Sequence, residues 1–99
     1  MYYSIPELRS IVSPLAQKYG AERIYLFGSY ARGNAHDGSD VDLRIDKGSI
    51  RGLQFAGLLG DLEDALKTRV DLISTIGMDQ KFLDAIRSDE VLLYERPGT

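Results

Sequence analysis

The residues best equipped for chemistry in this chain are three aspartates and one Gly-Ser pair. Asp40 and Asp42 stand two apart in the run Asp40-Val41-Asp42-Leu43-Arg44-Ile45-Asp46. In an extended strand, side chains two apart leave the same face, so both carboxylates can share in holding a hard, oxygen-seeking cation. Mg²⁺ is the natural candidate. The two acids repel each other, and a divalent cation that also meets phosphate oxygens relieves that repulsion. Taken alone, the pair fits an exposed, solubilising strand face at least as well. A third carboxylate, Asp71, sits between Val70 and Leu72. In a second strand its apolar neighbours turn one way and it turns the other. Three carboxylates on one sheet face can hold two metals, one orienting a triphosphate and the other lowering the pKa of an attacking hydroxyl.

Gly28-Ser29 follows the β-rich run Arg23-Ile24-Tyr25-Leu26-Phe27 and precedes Tyr30-Ala31-Arg32. A strand, a glycine turn and a helix start bring backbone N–H groups and one hydroxyl around a single point, which favours a phosphate. The same dipeptide also makes an ordinary turn with a Ser cap. Arg32 offers a guanidinium fork suited either to phosphate or to a salt bridge with Asp40 or Asp42. His36, the only histidine, lies in the turn-forming run 33–39. It reads as solvent-facing, because a metal-activated hydroxyl needs no histidine base. Tyr30 can stack on a nucleobase, with packing the simpler role, and Tyr25 and Tyr94 read as core or rim. Asp46 reads as strand-end charge.

The elements that must position these groups follow from periodicity. Ser4 and Glu7 form a capping box with Pro6 in the first turn, and Leu8, Ile11, Val12, Leu15 and Ala16 recur at helical spacing up to Gly20. This predicts a helix over 5–19, kinked or briefly broken at Pro14. Residues 23–27 predict a strand, and residues 40–46 a second one with Val41, Leu43 and Ile45 in the core and Asp40, Asp42 and Arg44 on the other face. A helical stripe over 50–67, weakened by Gly52, Gly57 and Gly60, predicts a helix. A third strand over 69–74, a helix over 78–87 and a closing strand or turn over 91–94 complete the order α-β-α-β-α-β-α-β. The class is α/β or α+β, a small mixed sheet of three or four strands with helices packed against it.

Ninety-nine residues, 43% of them apolar, predict one domain over 1–99 with one core and no room for a separate acceptor-binding domain. The absence of cysteine excludes disulfides and thiolate metal sites, so a metal here must be held by oxygen. No apolar run approaches membrane length and no leader pattern opens the chain, so a soluble, cytoplasmic protein is expected. The net charge of −3 argues against an unaided grip on a polynucleotide.

Together, Leu26-Phe27-Gly28-Ser29, Ser39-Asp40-Val41-Asp42-Leu43 and Val70-Asp71-Leu72 resemble the signature of the nucleotidyltransferase superfamily of DNA polymerase beta. Gly28-Ser29-Tyr30-Ala31-Arg32-Gly33 with Ser39–Leu43 is similar, more narrowly, to the small stand-alone group of minimal nucleotidyltransferases, MNT. The resemblance spans nearly the whole chain. It implies a nucleotidyltransferase fold, with Gly28, Ser29, Arg32 and Ser39 at the triphosphate. It further implies that Asp40 and Asp42 bind two Mg²⁺ ions, and that Asp71 binds the catalytic metal and helps take the acceptor's proton. ATP is the donor it implies, and pyrophosphate the leaving group. The partner it implies is a HEPN toxin, modified with AMP on a tyrosine by this chain as antitoxin. Leu92, Leu93 and Tyr94 can serve that contact or simply close the core. Two alternatives stay open: an inactive antitoxin that neutralises its partner by contact, and a transferase for a small alcohol such as an aminoglycoside. A homodimer could supply the latter's missing pocket.

Overall fold

The computed structural model describes residues 2–98. Helix α1 (Ile5–Tyr19) opens on the expected capping box: Glu7 N–H donates to Ser4 Oγ at 3.2 Å and Ser4 N–H donates to Glu7 Oε1 at 2.8 Å. It ends at Gly20, whose φ of 81° takes the left-handed conformation that closes helices. The helix continues through Pro14, so the break that the sequence allowed there is absent. Pro14 and Ser10 are both exposed, so the Ser10 carbonyl that loses its N–H partner can turn to water.

Strand β1 (Arg23–Phe27) leads into the short helix α2 (Gly28–Arg32), and β2 (Val41–Asp46), α3 (Leu53–Leu66), β3 (Val70–Ser74), α4 (Gln80–Arg87) and β4 (Val91–Glu95) follow. Several boundaries differ from the sequence expectation, three of them with a physical consequence. Asp40 lies just before β2 rather than within it. Helix α3 starts three residues after Ile50, because Gly52 at φ 52°, ψ −119° stands outside helical space; Ile50 still plugs the core, from the preceding turn. Helix α4 starts at Gln80 rather than Met78, where the Asp79 carboxylate accepts the Phe82 N–H at 3.4 Å.

The four strands form one mixed sheet in the order β3-β2-β1-β4. Strand β1 is antiparallel to both of its neighbours, whereas β2 and β3 are parallel and are joined by the α3 crossover that parallel pairing requires. Ile24, Leu26, Val41, Leu43, Ile45, Val70 and Leu93 bury one face against Leu8, Val12 and Ala16 of α1 and Leu58, Leu62 and Leu66 of α3. Leu93 thus closes the core from β4, while Leu92 is exposed. The other face presents Tyr25, Phe27, Asp42, Arg44 and Asp71, as alternation requires. Helix α4 lies on that side, with the Phe82 ring edge-on to Phe27 at 5.9 Å. Among the described residues no helix is long and apolar enough to cross a membrane.

Leu43 is fully buried on an inner strand, whereas Leu53 is 89% exposed at the start of α3. Leu43→Ala is therefore expected to cost roughly 2–5 kcal/mol and Leu53→Ala less than about 0.5 kcal/mol, read from urea unfolding midpoints.

Candidate active site

Register brings the carboxylates and the glycine turn together. Asp42 pairs with Phe27 across the antiparallel ladder and with Asp71 across the parallel one. The residue after Phe27, Gly28, stands directly against Asp42: a Cβ at Gly28 would run into the Asp42 carboxylate, whose Cγ lies 3.0 Å from that position. Gly28 also has a φ of 76°. Both the backbone conformation and the space exclude a side chain there.

Crowding shows in the charge state of Asp42. Its carboxyl is pushed up to about 6, first by burial, then by a hydrogen bond with Asp71 and the charges of Asp71 and Asp40, against a smaller opposing pull from Arg32. Asp40 is exposed at the mouth of β2. Asp71 is half-exposed and has the Arg69 guanidinium 3.7 Å away. Arg32 makes no ion pair among the described residues and reaches Asp42 only through its field. Among the described residues no three His, Cys, Asp or Glu side chains form a ready-made metal cage. The donors that do meet here are hard oxygens under mutual repulsion, a set that suits a divalent cation sharing phosphate oxygens.

The remaining residues take varied places. The Ser29 hydroxyl has no hydrogen-bond partner among the described residues, and Ser29 is half-buried beside Gly28. Ser39 staples the loop before β2: its Oγ accepts the His36 N–H at 2.9 Å and its own N–H donates to the His36 carbonyl at 3.0 Å. Its carbonyl also accepts from Thr68 Oγ1 at 3.4 Å, which ties this loop to the approach to β3. His36 is exposed, with Nδ1 2.9 Å from the Asp37 carbonyl. Tyr30 is only 4% exposed and stacks on Tyr2 at 5.5 Å, so it packs inward.

One residue that sequence reasoning passed over belongs to this face: Arg69 lies two before Asp71, a spacing that signals a shared face. Arg44, expected on this face, is 5% exposed and paired with Glu90, which its position in the strand did not signal. An open trough of about 430 Å³ on the outer side of α1, lined by residues such as Arg9, Ser13 and Gln17, lies across the sheet from the carboxylates and contains no acid.

A strand, a glycine turn and register-matched aspartates on neighbouring strands make up a nucleotidyltransferase layout. Residues 10–98 match the family described as Polymerase beta, Nucleotidyltransferase, and the chain belongs to that family. The protein adenylyltransferase MntA of Thermococcus cleftensis is 39% identical over 75 residues, 71% of this chain and 76% of that protein. A solved structure described as a minimal nucleotidyltransferase is 32% identical, with a TM-score of 0.76 over 91% of this chain and 96% of that one. The tri-AMPylated HEPN toxin of Shewanella oneidensis in complex with MNT antitoxin contains a chain with a TM-score of 0.71 and 19% identity, over 93% of this chain and 73% of that one. This last likeness is one of fold.

The raised Asp42 carboxyl makes stability depend on pH. The folded protein holds its proton up to about 6, whereas the unfolded chain releases it near 4. The stability contributed by the protonated form is complete below about pH 4 and is lost as pH rises through about 6. Above that, the ionised carboxylate costs roughly 1–2 kcal/mol once solvent screening of a partly exposed group is allowed for. Asp42→Asn should therefore stabilise the metal-free protein by about that amount at pH 7.5 and by close to nothing at pH 4, as measured by thermal unfolding across pH.

Proposed function

We propose that this chain is a Mg²⁺-dependent adenylyltransferase that passes AMP from ATP to a tyrosine hydroxyl of a HEPN partner and so silences it. The observation that carries this reading is the register that sets Asp42 at once against the Gly28 turn and against Asp71. The name of the Thermococcus relative and the AMPylated complex of the Shewanella neighbour support the donor and the partner.

In this proposal the Gly28-Ser29 turn binds the triphosphate through its backbone N–H groups and the unpartnered Ser29 hydroxyl. Arg32 and Ser39 contact phosphate from the flanking segments. Asp40 and Asp42 would hold two Mg²⁺ ions, and Asp71 would complete the set around the catalytic one. Bound Mg²⁺ would neutralise charge on the entering and leaving oxygens and favour ionisation of the acceptor hydroxyl. Asp71 helps draw off the hydroxyl proton. The acceptor oxygen bonds to the α-phosphorus as the bond to the bridging oxygen breaks, and pyrophosphate leaves in line. The chain acts as antitoxin, in the cytoplasm.

The test is intact-mass spectrometry of a HEPN protein from the same genome after incubation with this chain, ATP and Mg²⁺. One or more AMP units should be added, with none when EDTA is present or when Asp42→Ala replaces the wild type. A tight complex without any mass gain would show neutralisation by contact instead. Gly28→Ala, which places a methyl where the Asp42 carboxylate sits, should slow transfer by roughly 10²-fold.

A further inference from the structure

Helix α4 shares the catalytic face of the sheet, yet none of its side chains is buried. Beside the edge contact of Phe82 with Phe27, a single guanidinium pins the segments at both of its ends. Arg44 of β2 reaches Glu90, just after α4, with Nε 3.0 Å from Oε2 and Nη2 2.6 Å from Oε1. Its Nη1 donates to Thr75 Oγ1, just before the α4 segment, at 2.9 Å. Asp46 lies 3.6 Å from the same Nη1, and the guanidinium sits 4.1 Å from the Tyr25 ring centroid. One buried fork therefore ties down both ends of the excursion over residues 75–90. A bidentate pair sets distance and angle together, which apolar packing does not.

The helix so held flanks the carboxylates. Its Phe82 covers Phe27, the strand partner of Asp42, and still leaves 42% of itself in solvent. Ile73, two residues after Asp71 and so on the same strand face, is also exposed, as is Ile76 at 77%. Apolar surface thus continues outward from the place where an acceptor hydroxyl must meet Asp71. An acceptor carried on another polypeptide needs such a surface, since charged phosphate occupies the Gly28 side.

Resting on the AMP-transfer reading, we infer that Arg44 is a positioning residue: by clamping Thr75 and Glu90 it fixes α4 as the acceptor-side wall of the active site. The exposed apolar side chains there, Phe82 foremost, receive the acceptor polypeptide. Arg44 touches no reactant and acts through α4.

Arg44→Met alone would leave Glu90 buried and unpaired, so the double variant Arg44→Met/Glu90→Leu, which removes both charges, is the informative one. Phe82→Ala tests the surface without disturbing the clamp. With folding checked by circular dichroism, five quantities are measured: amide exchange over 76–90, ATP affinity with Mg²⁺, affinity for the HEPN protein, and kcat and KM for its modification. The double variant should exchange faster over 76–90. Its affinity for the HEPN protein should fall at least tenfold, its KM for that protein should rise in parallel, and kcat and ATP affinity should stay within about threefold. Phe82→Ala should show the same loss of partner affinity with exchange unchanged. Unchanged partner affinity in both variants, or ATP affinity that falls along with it, overturns the inference. Failure of the AMP-transfer reading would look different: the wild type would bind the partner without adding mass, while the affinity and exchange measurements would still report on the clamp.

Discussion

Asp42 is under pressure from three directions. Phe27 and the Gly28 turn close on it from β1, Asp71 lies level with it on β3, and Asp40 enters from the mouth of its own strand. Its raised carboxyl pKa is the sum of that confinement. A folded chain tolerates such a group only where the surrounding pairing over-determines its position, and here two ladders of opposite sense do so. Everything near the carboxylate inherits the constraint. Gly28 can carry no Cβ, α2 must start at that point, and the loop 33–39 must deliver Asp40 at the strand mouth, which the Ser39–His36 staple achieves.

The mixed sheet is what makes this crowding possible. In the parallel β2–β3 pair, residues run level in the same direction, so two short strands set Asp42 and Asp71 side by side. The antiparallel β1–β2 pair places the end of β1, and with it the turn, at the beginning of β2. Carboxylates and turn therefore meet at one end of the sheet. The α3 crossover and α1 fill the opposite face with Leu, Ile and Val side chains. Strict alternation then separates two tasks: one face supplies the stability that the other, charged face spends.

Much of this was legible in the sequence because it is local. The period-two run Val41, Leu43, Ile45 assigns Asp42 to the face away from the core, and the apolar neighbours of Asp71 do the same for the third acid. The α1 caps are written in Ser4, Glu7 and Gly20. Other features depend on contacts that no local pattern encodes. Gly52 delays α3 because of its backbone angles, although Ile50 lies on the helical stripe. Pro14 leaves α1 continuous because it and Ser10 lie on the exposed side, where the unpaired Ser10 carbonyl can meet water. The strand order, with β1 between β2 and β4, joins segments far apart in sequence. Arg44 looked like one more polar residue on an outward face. Its partner Glu90 lies 46 positions away, so only the fold reveals a buried fork.

That fork also clarifies how so small a scaffold can present a defined site. Burying α4 by apolar packing would have required covering the face that carries Asp42 and Asp71, and so closing the site. A charged pin offers another solution. Removing two ions from water offsets most of their attraction, so the pair adds little net stability, but it fixes geometry wherever an apolar contact would slide. The helix can then stand beside the carboxylates with its own side chains still partly in water. A wall held in this way keeps both the position that chemistry demands and the exposed apolar surface that a protein acceptor can cover.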